Sequence, residues 1–385
     1  MHLPRVWAEV DLDAVAHNLK ICRSLLRPEC RVLGVVKADA YGHGALPVSA
    51  TLERNGIAML GVGDSHEAME LREGGIAAPI LVLGAVVEGE IPDLIRHRIT
   101  PTIHSGERID LFNRVAGRLK VRLPVHLLID TGMSRLGVTP RRALEHLEAI
   151  LEAPHLRLRG LGTHLASPAE DRALTGEQLG LFAEVIEAAR SRGLPLPLLH
   201  AAGSMALTRY PDAHHDMVRV GGILYGLAPE PPPRGLRPAL RLYTQIVYLR
   251  DHPAGTPVGY GGSYVTPRRS RIATLPVGYS DGYLHALSNR AEALVRGRRA
   301  PVVGRVTMDY VMVDVTDVPM ASVGDRVTLL GRDGDEEIRA VELARRAGTI
   351  PYELPCLISR RVRRFFQVPE ERSQEQDRAG AEAAE

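Results

Sequence analysis

An α/β fold in two parts is predicted: a (β/α)8 barrel of the TIM type over residues 1–235, then a mostly antiparallel β domain over 236–368. Three observations carry this. Short apolar runs alternate with stretches of helical period, eight such runs fall within the first 220 residues, and the alternation stops at a proline-rich segment. Beyond that segment the texture is short β-branched runs separated by Gly, Pro and Asp.

The chain opens with DLDAVAHNLKICRSLL, an amphipathic helical pattern that Asp11 can cap. The eight runs follow at 32–36, 59–62, 80–83, 100–103, 125–129, 158–161, 196–199 and 217–220, with helical patterns such as 140–151 and 175–190 between them. Strand–helix alternation implies a parallel sheet covered by helices. A doubly wound open sheet is the competing arrangement; eight units in so short a stretch favour closure into a barrel. At APEPPPRGLRPAL (228–240) five prolines exclude both a helix and a central strand, which marks a domain boundary. Strands are expected next at 241–250, 271–275, 291–295, 311–315 and 325–330, and one helix at 341–347. The tail 369–385, PEERSQEQDRAGAEAAE, holds almost no bulky apolar residue and is expected to be disordered.

Charge and composition narrow the function. The 48 Lys and Arg nearly cancel the 46 Asp and Glu, for a net charge of +2, so nothing favours a nucleic-acid partner. Three cysteines are too few for a disulfide scaffold, and no secretion signal or stretch of ~18 apolar residues is present. A cytoplasmic protein with no membrane segment is expected, and no metal.

Chemistry in such barrels sits where strands run out into the following loops. There the sequence places Lys37, Tyr41 and His43 (KADAYGHG), Asp130 and Arg135 (IDTGMSRLG), His164 (THLAS), His200 and Ser204 (HAAGS), and Arg219, Gly221 and Gly222 (RVGG). Singly, each has an ordinary structural reading: a solvated lysine, turn glycines, an ion-paired arginine, a core histidine. Together they fit a larger pattern. A lysine directly after an apolar strand would be primed by burial for Schiff-base chemistry. Ser204 and the paired glycines suit a phosphate on the last two loops, with Arg219 between. Pyridoxal phosphate needs both its aldehyde and its phosphate held in this way.

At this point the sequence resembles the bacterial alanine racemases, from about residue 5 to 367. VVKADAYGHG is the specific signature; LIDTGMSRLG, GTHLAS, HAAGS, VRVGGILYG, VGYGGSY, LPVGYSDGY, GRVTMD and IPYELPC follow in the family's order. The resemblance implies pyridoxal 5'-phosphate bound through Lys37, with Lys37 and Tyr260 as two bases. It implies phosphate contacts from Tyr41, Ser204, Gly221, Gly222 and Tyr352, Arg219 at the pyridine nitrogen and Arg135 at the phenolic oxygen. His164 would orient Tyr260 or Arg219, and Arg135, Met308 and Asp309 would meet the substrate, Met308 through its backbone N–H. It also implies a head-to-tail homodimer in which Tyr260 and Met308 enter the partner's barrel, and a role in supplying D-alanine for peptidoglycan.

The residue types suit racemisation. A single base tends to return the proton to the face it left, so two opposed bases are the direct solution, and an amine and a phenol with reference pKa values near 10 must both be lowered to act near neutrality. Arg219 holds its proton too tightly to give it to the pyridine ring, which limits side reactions such as transamination.

Two positions depart from the family pattern. Many relatives carry a lysine, often carbamylated, where this chain has Leu128, so Arg135 is expected to find another anion, a chloride or a nearby carboxylate. His285 stands where an entrance arginine is common. A serine or broad-specificity racemase on the same scaffold is the neighbouring alternative; a non-catalytic pyridoxal-phosphate carrier would lack VGYGGSY and GRVTMD, and the same motifs do not fit a basic amino-acid decarboxylase.

Overall fold

The computed structural model describes residues 4–227 and 232–367. It resolves into two compact units, one drawn from Val15–Ala40 and Ala45–Leu236, the other from Met1–Ala14, Tyr41–Gly44 and Arg237–Glu385. Residues 228–231 of the proline-rich segment and the tail 369–385 lie outside the described residues.

Strands are numbered in chain order, so β1 is Val6–Asp11. The first unit holds β2 (Arg31–Val35), β3 (Met59–Val62), β4 (Ile80–Val82), β5 (Thr100–Ile103), β6 (Leu123–Ile129), β7 (Leu156–Thr163), β8 (Leu198–His200) and β9 (Met217–Val220). All eight expected runs are strands. They pair in parallel in the order β8-β7-β6-β5-β4-β3-β2-β9. An isolated parallel bridge, Gly203 to Arg219, closes the barrel on its last side, helped by the Arg219 N–H donating to the Ala202 carbonyl at 2.8 Å. The closure therefore falls at residues that the sequence singles out for chemistry.

Amphipathic helices cover the strands. Gly106–Arg118 buries Ile109, Phe112, Val115 and Ala116 at helical spacing. Arg172–Ser191, capped by Asp171 accepting the Leu174 N–H at 2.9 Å, buries Phe182, Val185, Ile186 and Ala189. Each large side chain so buried contributes about 1.5–3 kcal/mol. Polar groups also enter the interior: His126, His200 and Arg219 are all buried.

In the second unit β1 pairs antiparallel with β10 (Leu240–Gln245) and parallel with β20 (Arg363–Gln367). The N-terminal strand thus belongs to the β unit, although it precedes the barrel in the chain; Asp11 ends it and then caps the helix Leu12–Ser24 by accepting the Ala14 N–H at 2.9 Å. The expected strand at 241–250 is two, β10 and β11 (Tyr248–His252). Between them Ile246 donates to the Asp325 carbonyl and Val247 to that of Thr274, so the chain leaves one sheet for another. After β12 (Pro257–Val258) and β13 (Tyr264–Val265) come β14 (Ser270–Leu275), β15 (Glu292–Val295), β16 (Arg298–Pro301), β17 (Val311–Asp314), β18 (Arg326–Asp333) and β19 (Glu336–Ile338). They form one large sheet, β16-β15-β18-β10-β1-β20 with β19 on β18, a three-stranded sheet β11-β14-β17, and the β12-β13 pair. No described helix is long and apolar enough to cross a membrane.

Candidate active site

Lys37 starts a single helical turn, Lys37–Gly42, placed two residues after β2. Ala38, Asp39, Ala40 and Tyr41 have φ of +52° to +54°, so the turn is left-handed. Such residues cost about 1–2 kcal/mol each, a strain tolerated only where surrounding contacts enforce it. Those contacts are present. The Glu67 carboxylate accepts the N–H of Ala38 at 2.6 Å and that of Gly63 at 2.7 Å, Asp39 accepts the Ala45 N–H at 2.7 Å, and the Ala40 N–H reaches the Val36 carbonyl at 2.8 Å. Lys37 itself is exposed, so this chain does not supply the burial anticipated for it from the apolar run.

The loop after β6 is shaped by Asp130, whose Oδ1 accepts the N–H groups of Gly132, Met133 and Ser134 at 2.8–3.0 Å. It presents an exposed Arg135 that forms no ion pair with any described residue. Leu128 is half-buried in β6, two residues beyond the buried His126.

Arg219, on β9, is the centre of the rim. Its NH1 donates to His200 Nδ1 at 2.5 Å and the His200 carbonyl at 3.0 Å; its NH2 donates to the carbonyls of Thr163 (2.7 Å) and Ala201 (3.0 Å) and to His164 Nδ1 (3.2 Å). All five acceptors are neutral and no described residue accepts from Nε. Burial lowers its pKa to about 10, which leaves the cation intact at neutral pH. His164 is also pushed down, to about 3, first by burial and then by the cations Arg219, Arg135 and Lys37, which leaves its ring neutral. The last three residues, expected from separate loops, thus act electrostatically on one imidazole. Ser204 Oγ accepts the Gly221 N–H at 2.9 Å, which frees its own hydroxyl proton for another acceptor, and Gly222 opens a short 3-10 turn whose first N–H groups have no partner within it.

The β unit carries a second group. Tyr41 and Tyr352 meet edge to face at 6.2 Å, and burial, with Tyr352 and Cys356 nearby, raises the Tyr41 phenol to about 12, so it stays a protonated donor. Gly42 cannot be anything larger: with φ +77°, an added Cβ would lie 1.9 Å from the Pro355 carbonyl oxygen. His43 is buried, with Nδ1 2.8 Å from the Tyr41 carbonyl, and so braces the turn. Tyr260 is 71% exposed and Met308 53% exposed. The Met308 carbonyl accepts the N–H and hydroxyl of Ser280, while no described residue accepts its N–H. The Asp309 carboxylate is held by Arg361 at 2.8 Å, which keeps it below the usual carboxylate range. Arg361 also meets Asp281 at 3.4 Å, and Arg5 meets Asp281 at 3.0 Å. Asp309 therefore anchors the Met308 loop; a second anion facing a substrate carboxylate would repel it. His285 is exposed on a short 3-10 turn.

Glu67, His126 and Arg361 escaped the sequence reading. The spaced glycines Gly160 and Gly162 on β7 were the available signal for His126, because an added Cβ at Gly160 would lie 2.2 Å from its Nδ1.

Comparison with known proteins gives one answer. Residues 10–229 match the family model of the alanine racemase N-terminal domain and residues 239–366 that of its C-terminal domain. The chain is 42% identical over 364 residues to an alanine racemase of Halothermothrix orenii, covering 94% of this chain and 96% of the relative. It is 43% identical to one of Symbiobacterium thermophilum, with the same coverage. Among solved structures, an alanine racemase from D-cycloserine-producing Streptomyces lavendulae superimposes with a TM-score of 0.92 at 32% identity, over 97% of this chain and 99% of that one. The alanine racemase of Bacillus anthracis with bound L-Ala-P gives 0.89 at 34% identity, over 96% of each. With both halves of the chain matched by the family's two domain models, and relatives at 42–43% identity over nearly its whole length, the chain belongs to the alanine racemase family.

Proposed function

We propose that this protein interconverts L- and D-alanine with pyridoxal 5'-phosphate, using Lys37 and Tyr260 of the partner subunit as opposed acid–base groups. The observation that carries the reading is Arg219. A buried guanidinium ringed by neutral acceptors, with Nε left over, suits a neutral ring nitrogen: it donates a hydrogen bond without delivering a proton. Family membership and the L-Ala-P bound in a structural relative support alanine as the substrate.

The residues present fit the coenzyme. Ser204, with its hydroxyl proton free, the N–H groups around Gly221 and Gly222, and the protonated phenols Tyr41 and Tyr352 would hold the phosphate. Lys37 would hold the aldehyde and Arg135 the phenolic oxygen. When bound, pyridoxal phosphate supplies an electron sink for the α-carbon of the amino acid.

Lys37 takes or returns the α-proton at Nζ on one face, and Tyr260 of the partner subunit does so at its phenolic oxygen on the other. His164 serves the phenol. Its Nδ1 accepts from Arg219, so its proton sits on Nε2, where it can donate to the phenolate. The Met308 N–H and Arg135 bind the substrate carboxylate. The exposure of Tyr260 and Met308 supports a dimer in which they are covered by the partner. No disulfide links Cys22, Cys30 and Cys356, which favours a reducing cytoplasm, and D-alanine for peptidoglycan is the product use in keeping with the family.

An optical assay of L-alanine racemisation with added pyridoxal phosphate, run beside serine and lysine, tests the reading. Alanine is expected to turn over fastest. Serine or lysine ahead of alanine by about tenfold would transfer the assignment to a broad-specificity racemase, and coenzyme binding without any racemisation would make the protein a carrier.

A further inference from the structure

The barrel unit buries an ionisable side chain that the chemistry above leaves unused. His126, on β6, is buried, and its Nδ1 lies 3.0 Å from His200 Nε2 with the two ring centroids 5.1 Å apart. His200 in turn meets Arg219 through Nδ1. The barrel makes room for this pair. An added Cβ at Gly162 would lie 2.1 Å from the His200 ring, as one at Gly160 would lie 2.2 Å from that of His126.

The direction of every proton in this row follows from one fact. A guanidinium only donates, so His200 Nδ1 must accept, and the His200 proton must sit on Nε2. That proton needs a buried acceptor, and His126 Nδ1 provides it. We propose that His126 is a positioning residue for the racemase reaction: by accepting from His200 it locks the tautomer that can receive Arg219, and so holds the guanidinium at the coenzyme's ring nitrogen. The inference rests on the reading of Arg219 given above. Neither ring takes a charge that would oppose Arg219. Burial comes first among the causes for both, followed by Arg219, with Arg159 also acting on His126 and the two neighbouring histidines on His200; His126 is driven to about 3 and His200 well below its ordinary value.

Without the acceptor, His200 has two poor options. It can keep a buried Nε2–H unsatisfied, or move the proton to Nδ1 and present a donor to a donor. Either loosens Arg219.

The test uses the pyridoxal-phosphate-loaded enzyme labelled with ¹⁵N-histidine, as wild type, His126→Leu and His126→Asn. The imidazole nitrogen shifts report the tautomer directly. Wild type should carry the His200 proton on Nε2; His126→Asn, whose side-chain oxygen can accept, should keep it there, and His126→Leu should not. In His126→Leu, kcat should fall about tenfold with KM for alanine within about twofold, and transamination events per racemisation should rise about tenfold, with Asn restoring both. A wild-type His200 protonated on Nδ1 overturns the proposal even if a variant fails to fold. So does a Leu variant with the wild-type tautomer, or one with an altered tautomer and an unchanged ratio of transamination to racemisation. In that last case Arg219→Gln separates the two ideas: if it too leaves the ratio unchanged, the placement of Arg219 at the ring nitrogen is what failed.

Discussion

Arg219 and His164 meet at 3.2 Å through a guanidinium N–H and an imidazole Nδ1, two groups that would repel if the histidine were charged. The contact is stable only while His164 is neutral, and the same holds for His200 at 2.5 Å on the other arm of the guanidinium. The rim is therefore organised around a buried guanidinium and a set of imidazoles held neutral first by burial and then by that charge.

That arrangement makes the fold sensitive to acid. His126, His164 and His200 are all lowered from an ordinary 6.5, the first two to about 3. Below pH 6.5 the unfolded chain binds protons that the folded rings refuse, so stability is greatest above 6.5 and falls as pH falls. At pH 5.5 His126 and His164 each cost about 1 kcal/mol, and His200 adds in the same direction. Calorimetric unfolding in buffers of different ionisation enthalpy at pH 5.5 should show a net proton uptake of about two or more, His126 and His164 supplying about 0.9 each and His200 adding to it. Uptake below one proton would contradict the neutral histidine set.

Replacing Lys37 should separate chemistry from folding. Its side chain is exposed and makes no described salt bridge, so Lys37→Ala should unfold within about 0.5 kcal/mol of wild type. The same variant should lose all racemisation, show no coenzyme absorbance surviving gel filtration, and retain no label after borohydride. Label retained on another lysine would move the aldehyde site elsewhere.

Tyr260→Phe removes one oxygen from a side chain that is 71% exposed in the single chain, so neither stability nor coenzyme absorbance should change. The loss should be about 10²- to 10⁴-fold in racemisation, the range for a general acid–base group. Because the two alanines are mirror images, their equilibrium constant is one, and kcat/KM must fall equally in both directions. The asymmetry belongs instead to exchange of the α-hydrogen with solvent. The enantiomer whose α-hydrogen faces Lys37 should still exchange in D2O, whereas exchange from the other should stop. Equal exchange of both enantiomers would sink the two-base assignment.

What the sequence discloses and what it hides differ in physical kind. The eight barrel strands were legible because a parallel strand covered on both faces must be an apolar run, as in β4, where all three residues are buried. Lys37, Arg135, His164 and Ser204 could be singled out because they lie in the loops that follow such runs, and Arg219 because a cation interrupts one. β1 was hidden because its partners, β10 and β20, lie more than two hundred residues away in the chain. The split of 241–250 into two strands was hidden because a change of sheet leaves apolar texture intact. Glu67 was hidden too: an acidic residue in a helix normally faces water, and only the fold brings it to the lysine turn.

Glu67 carries the sharpest remaining prediction. The four non-glycine residues Ala38–Tyr41 together hold about 4–8 kcal/mol of left-handed strain. The Glu67 carboxylate spends both oxygens on this segment and its neighbour, the N–H groups of Ala38 and Gly63, and Glu67 is itself placed by the Asp64 cap that accepts its N–H at 2.9 Å. In Glu67→Ala both donors lose their acceptor, and charge-assisted bonds of this kind are worth about 1.5–3 kcal/mol each. A loss of about 3–5 kcal/mol in stability is expected, because solvent partly replaces the carboxylate. Glu67→Gln should fall between, since one amide oxygen can serve only one of the two N–H groups and the amide nitrogen opposes the other. If the turn then relaxes toward right-handed geometry, amide exchange should rise over 38–42 and stay unchanged on the distant helix 172–191. Alanine and glutamine variants of equal stability, with 38–42 as protected as in wild type, would show that the turn is held by its own sequence and not by this carboxylate.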